Sequence, residues 1–306
     1  MNNEIFSNAK IILMGEYAVM HGADAICLPL KTGQKLRVED FDEGVIGWKW
    51  TYGNEVLADL QIDAASLHPL RVNKGNSQWV SDLVRIIRLQ NPGFVRNGGH
   101  SFIFENLFPP QWGLGSSSAT ISSISRWAHV NAFMVNQKLM GGSGADIAST
   151  TASRWFLYRK KLPTPPVWDI PFNYLFPDNT WFVYSGKKEP TAQHLNTLDP
   201  IDENQHSVSW MQVNHFIYRF LAASTLPEVF KLVYEHELLI ADRIRKEPIG
   251  NQFADFPGKI KSLGAWGGDF FLALSQQPEA WVKDYFYQKG YSTIFKWNEF
   301  LETETF

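Results

Sequence analysis

A glycine- and serine-rich stretch of this chain could bring backbone N–H groups close to an anionic ligand. The stretch PPQWGLGSSSATISSISRW (Pro109–Trp127) passes from Gly-Leu-Gly through three serines into a segment with helical spacing. The first N–H groups of a helix lack intrahelical partners and lie at the positive end of the helix dipole, so they attract phosphate. Glycine lets the backbone approach a ligand closely, and serine can cap the helix or contact phosphate or Mg²⁺. The stretch alone supports either a phosphate-binding loop or an ordinary helix cap.

Known glycine-rich motifs narrow the alternatives for this stretch. It is not a P-loop, because no lysine follows its second glycine, and it lacks the third glycine of a dinucleotide-binding fingerprint. The pentapeptide from Gly115 to Ala119 partly imitates the nucleophile elbow G-x-S-x-G, with alanine in place of the last glycine. A serine hydrolase that acts without ATP therefore stays open as an alternative.

Two further stretches contain residues that could do chemistry. GGSGADIAST places Asp146 directly after a Ser-Gly turn, where it could start a helix or serve as an acid–base group held by a nearby lysine. NAKIILMGEYAVMHG brings Lys10 into an apolar run that ends at Gly15 and Glu16. A third stretch, KSLGAWGGDFFLAL, adds a glycine-rich turn before an apolar segment.

The elements that must position these residues are a mixture of strands and helices. Apolar runs predict strands over 9–14, 25–30, 34–41, 45–52, 55–62, 100–108 and 180–186. Helical spacing predicts helices over 77–89, 117–135, 146–155 and 207–243, and one from residue 278. Ser77 is the candidate N-cap of the first helix, and the mixture favours an α+β or α/β fold. The proline-rich stretch 162–172 is a candidate domain boundary.

Length and composition limit the classes of function. The 306 residues, 44% of them hydrophobic, favour two domains. A formal net charge of −3 and a pI of about 6.2 argue against nucleic acid or an anionic membrane as the main partner. Cys27 is the only cysteine, which excludes an intramolecular disulfide and a cysteine-rich zinc site. We see no secretory signal or membrane-spanning run, so a cytoplasmic protein is expected.

Five segments, in order along the chain, resemble the motifs of the GHMP kinases: galactokinase, homoserine kinase, mevalonate kinase and phosphomevalonate kinase. NAKIILMGEYAVMHG resembles the N-terminal signature, and WGLGSSSAT is similar to the phosphate loop G-L-G-S-S-A. GSGADIAS is similar to the S-G-x-D-I-A segment typical of phosphomevalonate kinases, and SGKKEPTAQHL resembles their G-K-x-x-x-T segment. KSLGAWGGDFFLAL resembles the third motif, usually K-x-x-G-A-G-G-G. The likeness spans residues 8 to 274.

The resemblance implies an α+β protein with the two-domain GHMP kinase fold. An ATP-binding domain over residues 1–170 would be similar to the second domain of ribosomal protein S5, and residues 171–306 would form a ferredoxin-like domain. The implied activity is transfer of the γ-phosphoryl group of ATP to mevalonate or phosphomevalonate, in isoprenoid precursor synthesis, with Mg²⁺. The implied partners are ATP and a small anionic acceptor, and the protein would be a monomer or homodimer.

The resemblance also implies roles for particular residues. Asp146 would be the catalytic carboxylate that orients or deprotonates the acceptor, and Lys10 would lie beside it and stabilise negative charge. The ATP phosphates would be held by Gly113, Leu114, Gly115, Ser116, Ser117 and Ser118. The Ser117 hydroxyl would lie near Mg²⁺. The substrate would be bound by Glu16, His21, Lys187, Lys188, Thr191, Gly264, Ala265, Gly267 and Gly268.

Three departures from the family pattern keep other functions open. No carboxylate lies between Ser116 and Asp146, where mevalonate kinases have a glutamate that helps to bind Mg²⁺. Trp266 replaces a glycine of the third motif, and Asp269 follows it. Trp112, just before Gly-Leu-Gly, could contact a purine or pack in the core. The alternatives are a non-catalytic nucleotide or metabolite binder with this fold, and a GHMP kinase for a sugar or homoserine.

Overall fold

The structure is a computed structural model, which describes residues 4–161, 165, 167–170, 174–186, 210–264, 266 and 268–301. The strands are β1 (Glu4–Met14), β2 (Asp24–Glu43), β3 (Val45–Tyr52), β4 (Glu55–Asp63), β5 (Pro69–Lys74), β6 (Gly98–Asn106), β7 (Phe156–Arg159), β8 (Val167–Asp169), β9 (Thr180–Tyr184), β10 (Gly258–Ser262), β11 (Phe270–Ser275) and β12 (Ile294–Lys296). The helices are α1 (Ser77–Arg88), α2 (Ser116–Trp127), α3 (Ala132–Leu139), α4 (Ala145–Ser149), α5 (Gln212–Ala222), α6 (Leu226–Ile244), α7 (Glu279–Gln288) and α8 (Trp297–Phe300). The mixture of helices and strands confirms the predicted α and β composition.

The first sheet is organised around the long strand β2. Its strand order is β5-β4-β3-β6-β2-β7-β8, and β1 pairs with β2 outside this path. The sequence predicted two strands, over 25–30 and 34–41, but β2 is continuous because Gly33 still pairs with Asn8 of β1. Since β1 carries Lys10, this pairing fixes where the lysine enters the interior.

The helices of the first sheet differ from the predictions at their ends. Asn76, not Ser77, caps α1, because its backbone is extended and its Oδ1 accepts from the Trp79 N–H at 3.1 Å. The helix predicted over 117–135 is two helices, since His129 has a φ of 55° and α3 starts afresh. The helix predicted over 146–155 ends at Ser149, and the chain then joins the sheet as β7.

The second sheet is antiparallel, with the order β10-β11-β9-β12. Every residue of β11 is buried, which is typical of a strand between two covered faces. One buried apolar cluster includes Ile11 and Leu28 of the first sheet, Ile217 of α5, Val233 of α6 and Leu272 of β11. The two sheets therefore share a core, and the segments that lead into the site meet beside it.

The structure differs from the sequence predictions in one further helix and one further strand. The helix predicted over 207–243 divides into α5 and α6 at 223–225, and residues 207–209 lie outside the described part. Strand β5 was not predicted, because it is short, all six of its residues are exposed at a sheet edge, and its apolar alternation is limited to Leu70 and Val72. Most of the proline-rich stretch 162–172 lies outside the described residues, so the division at residue 170 stays a prediction.

In the part of the chain that the structure describes, no helix is long and apolar enough to cross a membrane.

Candidate active site

The glycine–serine stretch forms a tight loop that leads directly into α2. A short 3-10 helix ends at Trp112, and Gly113 and Gly115 then adopt left-handed backbone conformations with φ of 69° and 89°. Gly115 occupies the N-cap position of α2 and has no side chain, so it forms no capping hydrogen bond. No acidic residue lies in the first turn. No negatively charged side chain in the first turn of α2 therefore offsets the positive end of the helix dipole.

A buried polar network holds the start of α2 against the sheet. The amide of Gln34, on β2, donates to Asn106 Oδ1 at 2.8 Å and to the Ser116 carbonyl at 3.4 Å. The Thr120 hydroxyl donates to Gln34 Oε1 at 2.9 Å and accepts from Trp50 Nε1 at 3.1 Å. Gln34 is fully buried, so these bonds fix the direction in which the loop leaves the sheet.

Lys10 lies against this loop and reaches Asp146. The Lys10 backbone N–H donates to the Leu114 carbonyl at 3.1 Å. A Cβ on Gly115 would lie only 3.1 Å from Lys10 Cε, so the lysine side chain runs along the loop. Its Nζ lies 3.2 Å from Asp146 Oδ1, and the side chains of Lys10 and Asp146 are 12% and 37% exposed. The structure therefore brings together the predicted phosphate loop (Gly113 to Ser118), the predicted lysine and the predicted carboxylate.

The short helix α4 presents Asp146 from its first turn. Gly144 is the N-cap of α4 with a φ of 85°, and the Ser143 hydroxyl accepts from the Ala145 N–H at 3.2 Å. The Tyr158 hydroxyl donates to the Ser143 carbonyl, and burial raises the pKa of that phenol. These contacts hold the Ser-Gly turn while leaving the Asp146 carboxylate partly open to a ligand.

The third glycine-rich loop approaches the phosphate loop through Asp269. The Asp269 carboxylate occupies the space where a Cβ on Gly113 would be, so a larger residue there would have to displace that carboxylate. Asp269 is 8% exposed and has a φ of 52°. Burial raises the pKa of the neighbouring Tyr184, and the charge of Asp269 adds to this shift. A second negative group therefore lies beside the phosphate loop.

Glu16, predicted to help bind the substrate, lies in the interior. Its carboxylate accepts a hydrogen bond from Lys261 Nζ, and the two side chains are 3% and 0% exposed. Burial raises the Glu16 pKa, and Lys261 opposes this shift. Next to it, Glu237 accepts from the Ser262 N–H at 3.0 Å and the Ser262 hydroxyl at 2.9 Å. These groups join the turn after β1 to the strand that leads into the third loop.

The other predicted substrate-binding residues divide into two groups. His21 is exposed and stacks on Trp210 with ring centroids 5.1 Å apart, and Gly264 and Gly268 lie in the third loop. Outside the described residues are Lys187, Lys188, Thr191, Ala265 and Gly267. Binding of substrate by any of these residues stays a prediction.

Of two tryptophans near the loops, Trp112 is partly buried against the core and Trp266 lies within it. Trp112 packs against Tyr184, Phe270 and Phe295, which favours the packing role over a purine contact. Trp266 is 1% exposed, and its backbone N–H donates to the Tyr17 hydroxyl at 3.2 Å. The glycine-to-tryptophan departure in the third motif therefore fills the core beneath the loop.

The oxygen groups near the loop are of the kind that Mg²⁺ binds. The Ser117 hydroxyl lies at the partly exposed start of α2, and Asp146 and Asp269 supply carboxylates. Among the described residues, no group of three His, Cys, Asp or Glu could hold a metal. Since Mg²⁺ commonly takes one or two protein oxygens together with phosphates and water, this set fits a cation that arrives with a nucleotide.

The sequence contained weak signals for the residues that were not predicted. Gln34 is a polar residue within an apolar strand, and Lys261 is the lysine of the third motif. Glu237 and His236 looked like ordinary residues of a long helix. Only the fold shows that His236 Nε2 accepts from the Gly15 N–H at 3.3 Å. Burial, followed by the charge of Lys261, lowers the pKa of His236 well below its ordinary value.

Solved structures of small-molecule kinases share this fold. The Methanococcus jannaschii mevalonate kinase matches with a TM-score of 0.70 and 18% identity, over 98% of this chain and 98% of that chain. The Streptococcus pneumoniae phosphomevalonate kinase, in complex with phosphomevalonate and AMPPNP, matches with a TM-score of 0.70 and 14% identity, over 96% and 99%. The Lactococcus lactis galactokinase, complexed with galactose, matches with a TM-score of 0.63 and 12% identity, over 96% and 92%.

The sequence itself matches no protein-family model and no curated protein. At these identities the likeness concerns the fold, and it does not carry a substrate from one chain to another. The matches nevertheless cover almost all of the chain and of each neighbour. The protein therefore adopts the GHMP kinase fold over nearly its whole length, as its five motifs predicted.

Proposed function

We propose that this protein is an ATP-dependent GHMP kinase that phosphorylates mevalonate or phosphomevalonate. The observation that carries the proposal is the contact of Lys10 with both the phosphate loop and Asp146, at 3.2 Å from Nζ to Oδ1. A cation and a carboxylate beside a helix start are what phosphoryl transfer to an alcohol or phosphate needs. Two of the solved neighbours are a mevalonate kinase and a phosphomevalonate kinase, which supports this choice of acceptor.

The ATP phosphates would be bound by the loop from Gly113 to Ser118. The free N–H groups at the start of α2 would donate to phosphate oxygens, and the left-handed glycines allow that close approach. Ser117 would contribute a hydroxyl ligand to Mg²⁺. When bound with the nucleotide, Mg²⁺ would neutralise negative charge on the β- and γ-phosphates.

Asp146 and Lys10 would act on the reacting groups. The acceptor oxygen forms a bond to the γ-phosphorus while the bond from that phosphorus to the β–γ bridging oxygen breaks, and ADP leaves. Asp146 orients the acceptor and takes its proton if the acceptor is a hydroxyl group. The Lys10 ammonium group holds the Asp146 carboxylate in place and stabilises the charge on the transferred phosphoryl group.

The test measures ADP formation with a panel of acceptors: mevalonate, phosphomevalonate, homoserine and galactose. We expect turnover with mevalonate or phosphomevalonate. Asp146→Asn should lower kcat by about 100-fold or more with little change in ATP affinity, because the carboxylate acts on the acceptor. Asp284→Asn, on the exposed surface of α7, is the matched control.

Three outcomes would contradict the proposal. Binding of ATP without ADP formation from any acceptor would indicate a non-catalytic binder. Turnover with galactose or homoserine alone would show that the protein is a kinase, but that its acceptor is not mevalonate or phosphomevalonate. Ester hydrolysis without ATP, lost on substitution of a loop serine, would indicate a hydrolase.

A further inference from the structure

The Tyr158 hydroxyl lies against the start of α4, the helix that carries Asp146. It donates to the Ser143 carbonyl, and Tyr158 is 0% exposed. A Cβ on Gly144 would lie only 2.8 Å from the Tyr158 hydroxyl oxygen, and Gly144 has a φ of 85°. Because Gly144 has no Cβ, the turn rests directly on the phenol at the residue before the helix begins.

Strand β2 is a common reference for Tyr158 and Lys10. Tyr158 pairs with Ala25 on one side of β2, and Lys10 pairs with Pro29 on the other side. Ala25 and Pro29 are an even number of residues apart, so they belong to the same face of the strand. Tyr158 and Lys10 therefore present their side chains on one face of the sheet, where Lys10 Nζ lies 3.2 Å from Asp146 Oδ1.

The remainder of α4 is held by other contacts. Its last turn is followed by Thr150, whose carbonyl accepts from the Asn8 N–H at 2.9 Å. Ala145, in the first turn, packs with Cys27 of β2 in a buried cluster that also contains the Tyr158 ring. A helix of five residues has few internal hydrogen bonds. Contacts at its ends therefore decide where the first turn, and with it Asp146, lies.

The surroundings of the Tyr158 hydroxyl keep it protonated. Burial is the main cause that raises the pKa of this phenol, and the nearby Cys27 and Asp146 add to the shift. A protonated phenol can donate to the Ser143 carbonyl throughout the pH range in which the protein is assayed.

We propose that Tyr158 is a positioning residue for phosphoryl transfer, whose hydroxyl fixes the Ser143–Gly144 turn so that Asp146 meets the acceptor. The inference rests on the proposed function, because it needs Asp146 to act on the acceptor. Tyr158 is fully buried, so it acts through the turn and touches no substrate. Catalytic groups must be held within about 0.5 Å of the productive geometry, and a displacement of about 1 Å can cost about 100-fold in rate.

The test compares kcat and the Kd of ATP for the wild type and Tyr158→Phe, with the acceptor that gives the highest turnover. Phenylalanine keeps the ring and removes only the hydroxyl, so the core should stay filled. We expect kcat to fall about tenfold and the Kd of ATP to change less than about twofold, because Asp146 acts on the acceptor. Tyr174→Phe is the matched control, since its hydroxyl lies 2.9 Å from Thr180 Oγ1 in the core, and it should leave kcat unchanged.

A double-mutant cycle tests whether the effect passes through Asp146. Asp146→Asn lacks the carboxylate that the turn would position. Adding Tyr158→Phe to it should therefore lower the residual kcat by less than about twofold, measured at high enzyme concentration. A fall of about tenfold in both backgrounds would overturn the inference, because Tyr158 would then act on another part of the site.

A pair of glycine variants disturbs the same contact from its other side. The Cβ of Gly144→Ala would meet the Tyr158 hydroxyl at 2.8 Å. Gly141→Ala has comparable left-handed strain, with a φ of 71° and nothing within 4 Å of its Cβ position. Only Gly144→Ala should lower kcat, again about tenfold. This pair tests the proposal even if Tyr158→Phe does not fold, and an equal kcat in the two glycine variants would contradict it.

The possible failures are distinguishable. If the wild type forms no ADP with any acceptor, the proposed function fails and the inference fails with it. If the wild type turns over but folded Tyr158→Phe keeps kcat within about twofold, only the inference is overturned. It is also overturned if Tyr174→Phe lowers kcat as much as Tyr158→Phe, because the loss of any hydroxyl from the core would then have the same effect.

Discussion

The Lys261 ammonium group donates to the Glu16 carboxylate inside the protein, where the side chains are 0% and 3% exposed. Lys261 is on β10, two residues before the third loop begins to turn, and also donates to the Ser262 carbonyl at 2.7 Å. Glu16 follows β1, the strand that carries Lys10. The pair thus connects the segment that carries Lys10 with the strand that leads into the third loop.

Lys261→Met should destabilise the protein by about 3–5 kcal/mol, because it leaves the buried Glu16 carboxylate without its cation. The free energy of unfolding is measured by urea denaturation. Lys231→Met is the control, since Lys231 is 63% exposed and its Nζ lies 3.7 Å from Glu235. The control should lose less than about 1 kcal/mol. A loss of similar size in both variants would show that burial adds nothing to the Lys261 pair.

Gly115→Ala should weaken ATP binding about tenfold or more, because its Cβ would meet the Lys10 side chain at 3.1–3.2 Å and crowd the loop. Gly290→Ala is a close match, since Gly290 has a φ of 90° and nothing lies within 4 Å of its Cβ position. Both variants should lose stability from left-handed strain, by about 1–2 kcal/mol. Only Gly115→Ala should change the Kd of ATP, and an equal effect of Gly290→Ala would point to general destabilisation.

The free energy of unfolding should fall as the pH rises from about 4.3 to about 7 because of Glu237. Burial raises the pKa of Glu237 to about 7, although Lys261 opposes the shift. In this window the folded state keeps a proton that the unfolded chain releases, so stability is greatest at the acid end and declines through the folded pKa.

Glu237→Gln cannot ionise and should lack this decline, which amounts to about 3 kcal/mol for a shift of this size. Urea denaturation at about pH 5 and about pH 8 measures it. Glu235→Gln, at a side chain 39% exposed on the same helix, should keep the wild-type slope. Equal slopes in wild type and Glu237→Gln would contradict the assignment.

The Cys27 thiol should not react with a disulfide reagent in the native protein. It is 0% exposed, and burial raises its pKa well above the ordinary range, so the thiolate is scarce. One thiol per chain should react after denaturation, because Cys27 is the only cysteine. Ala65→Cys adds a thiol at an exposed position and should react at once in the folded protein. Fast native labelling of the wild type would show that β2 opens readily.

Local patterns in the sequence were enough to predict much of the site. Gly115 and the serines after it predicted a loop that enters a helix, and the structure has α2 beginning at Ser116. Lys10 and Asp146 are 136 positions apart, and only the motif order suggested that they meet. Their 3.2 Å contact confirms this proximity, while their catalytic roles stay a prediction.

Element ends and long-range partners were harder to predict. The split between α2 and α3 depends on a left-handed His129, which helical spacing does not reveal. Glu16 was predicted to help bind the substrate, and this role stays a prediction. Its partner Lys261 is 245 residues further on and becomes a neighbour only when the two sheets pack together. The same holds for Asp269 and Gly113, whose contact depends on where the third loop lies.

The sequence by itself therefore determined the backbone chemistry of the site: left-handed glycines, a helix start rich in N–H groups, a lysine on a strand and an aspartate after a turn. These depend on interactions within a few residues, which composition and spacing describe. Only the tertiary structure decided which charges are buried together and which remain accessible. Burial and charge pairing arise between segments far apart in the chain, so they turned Glu16 inward to Lys261 and left Asp146 partly exposed beside Lys10.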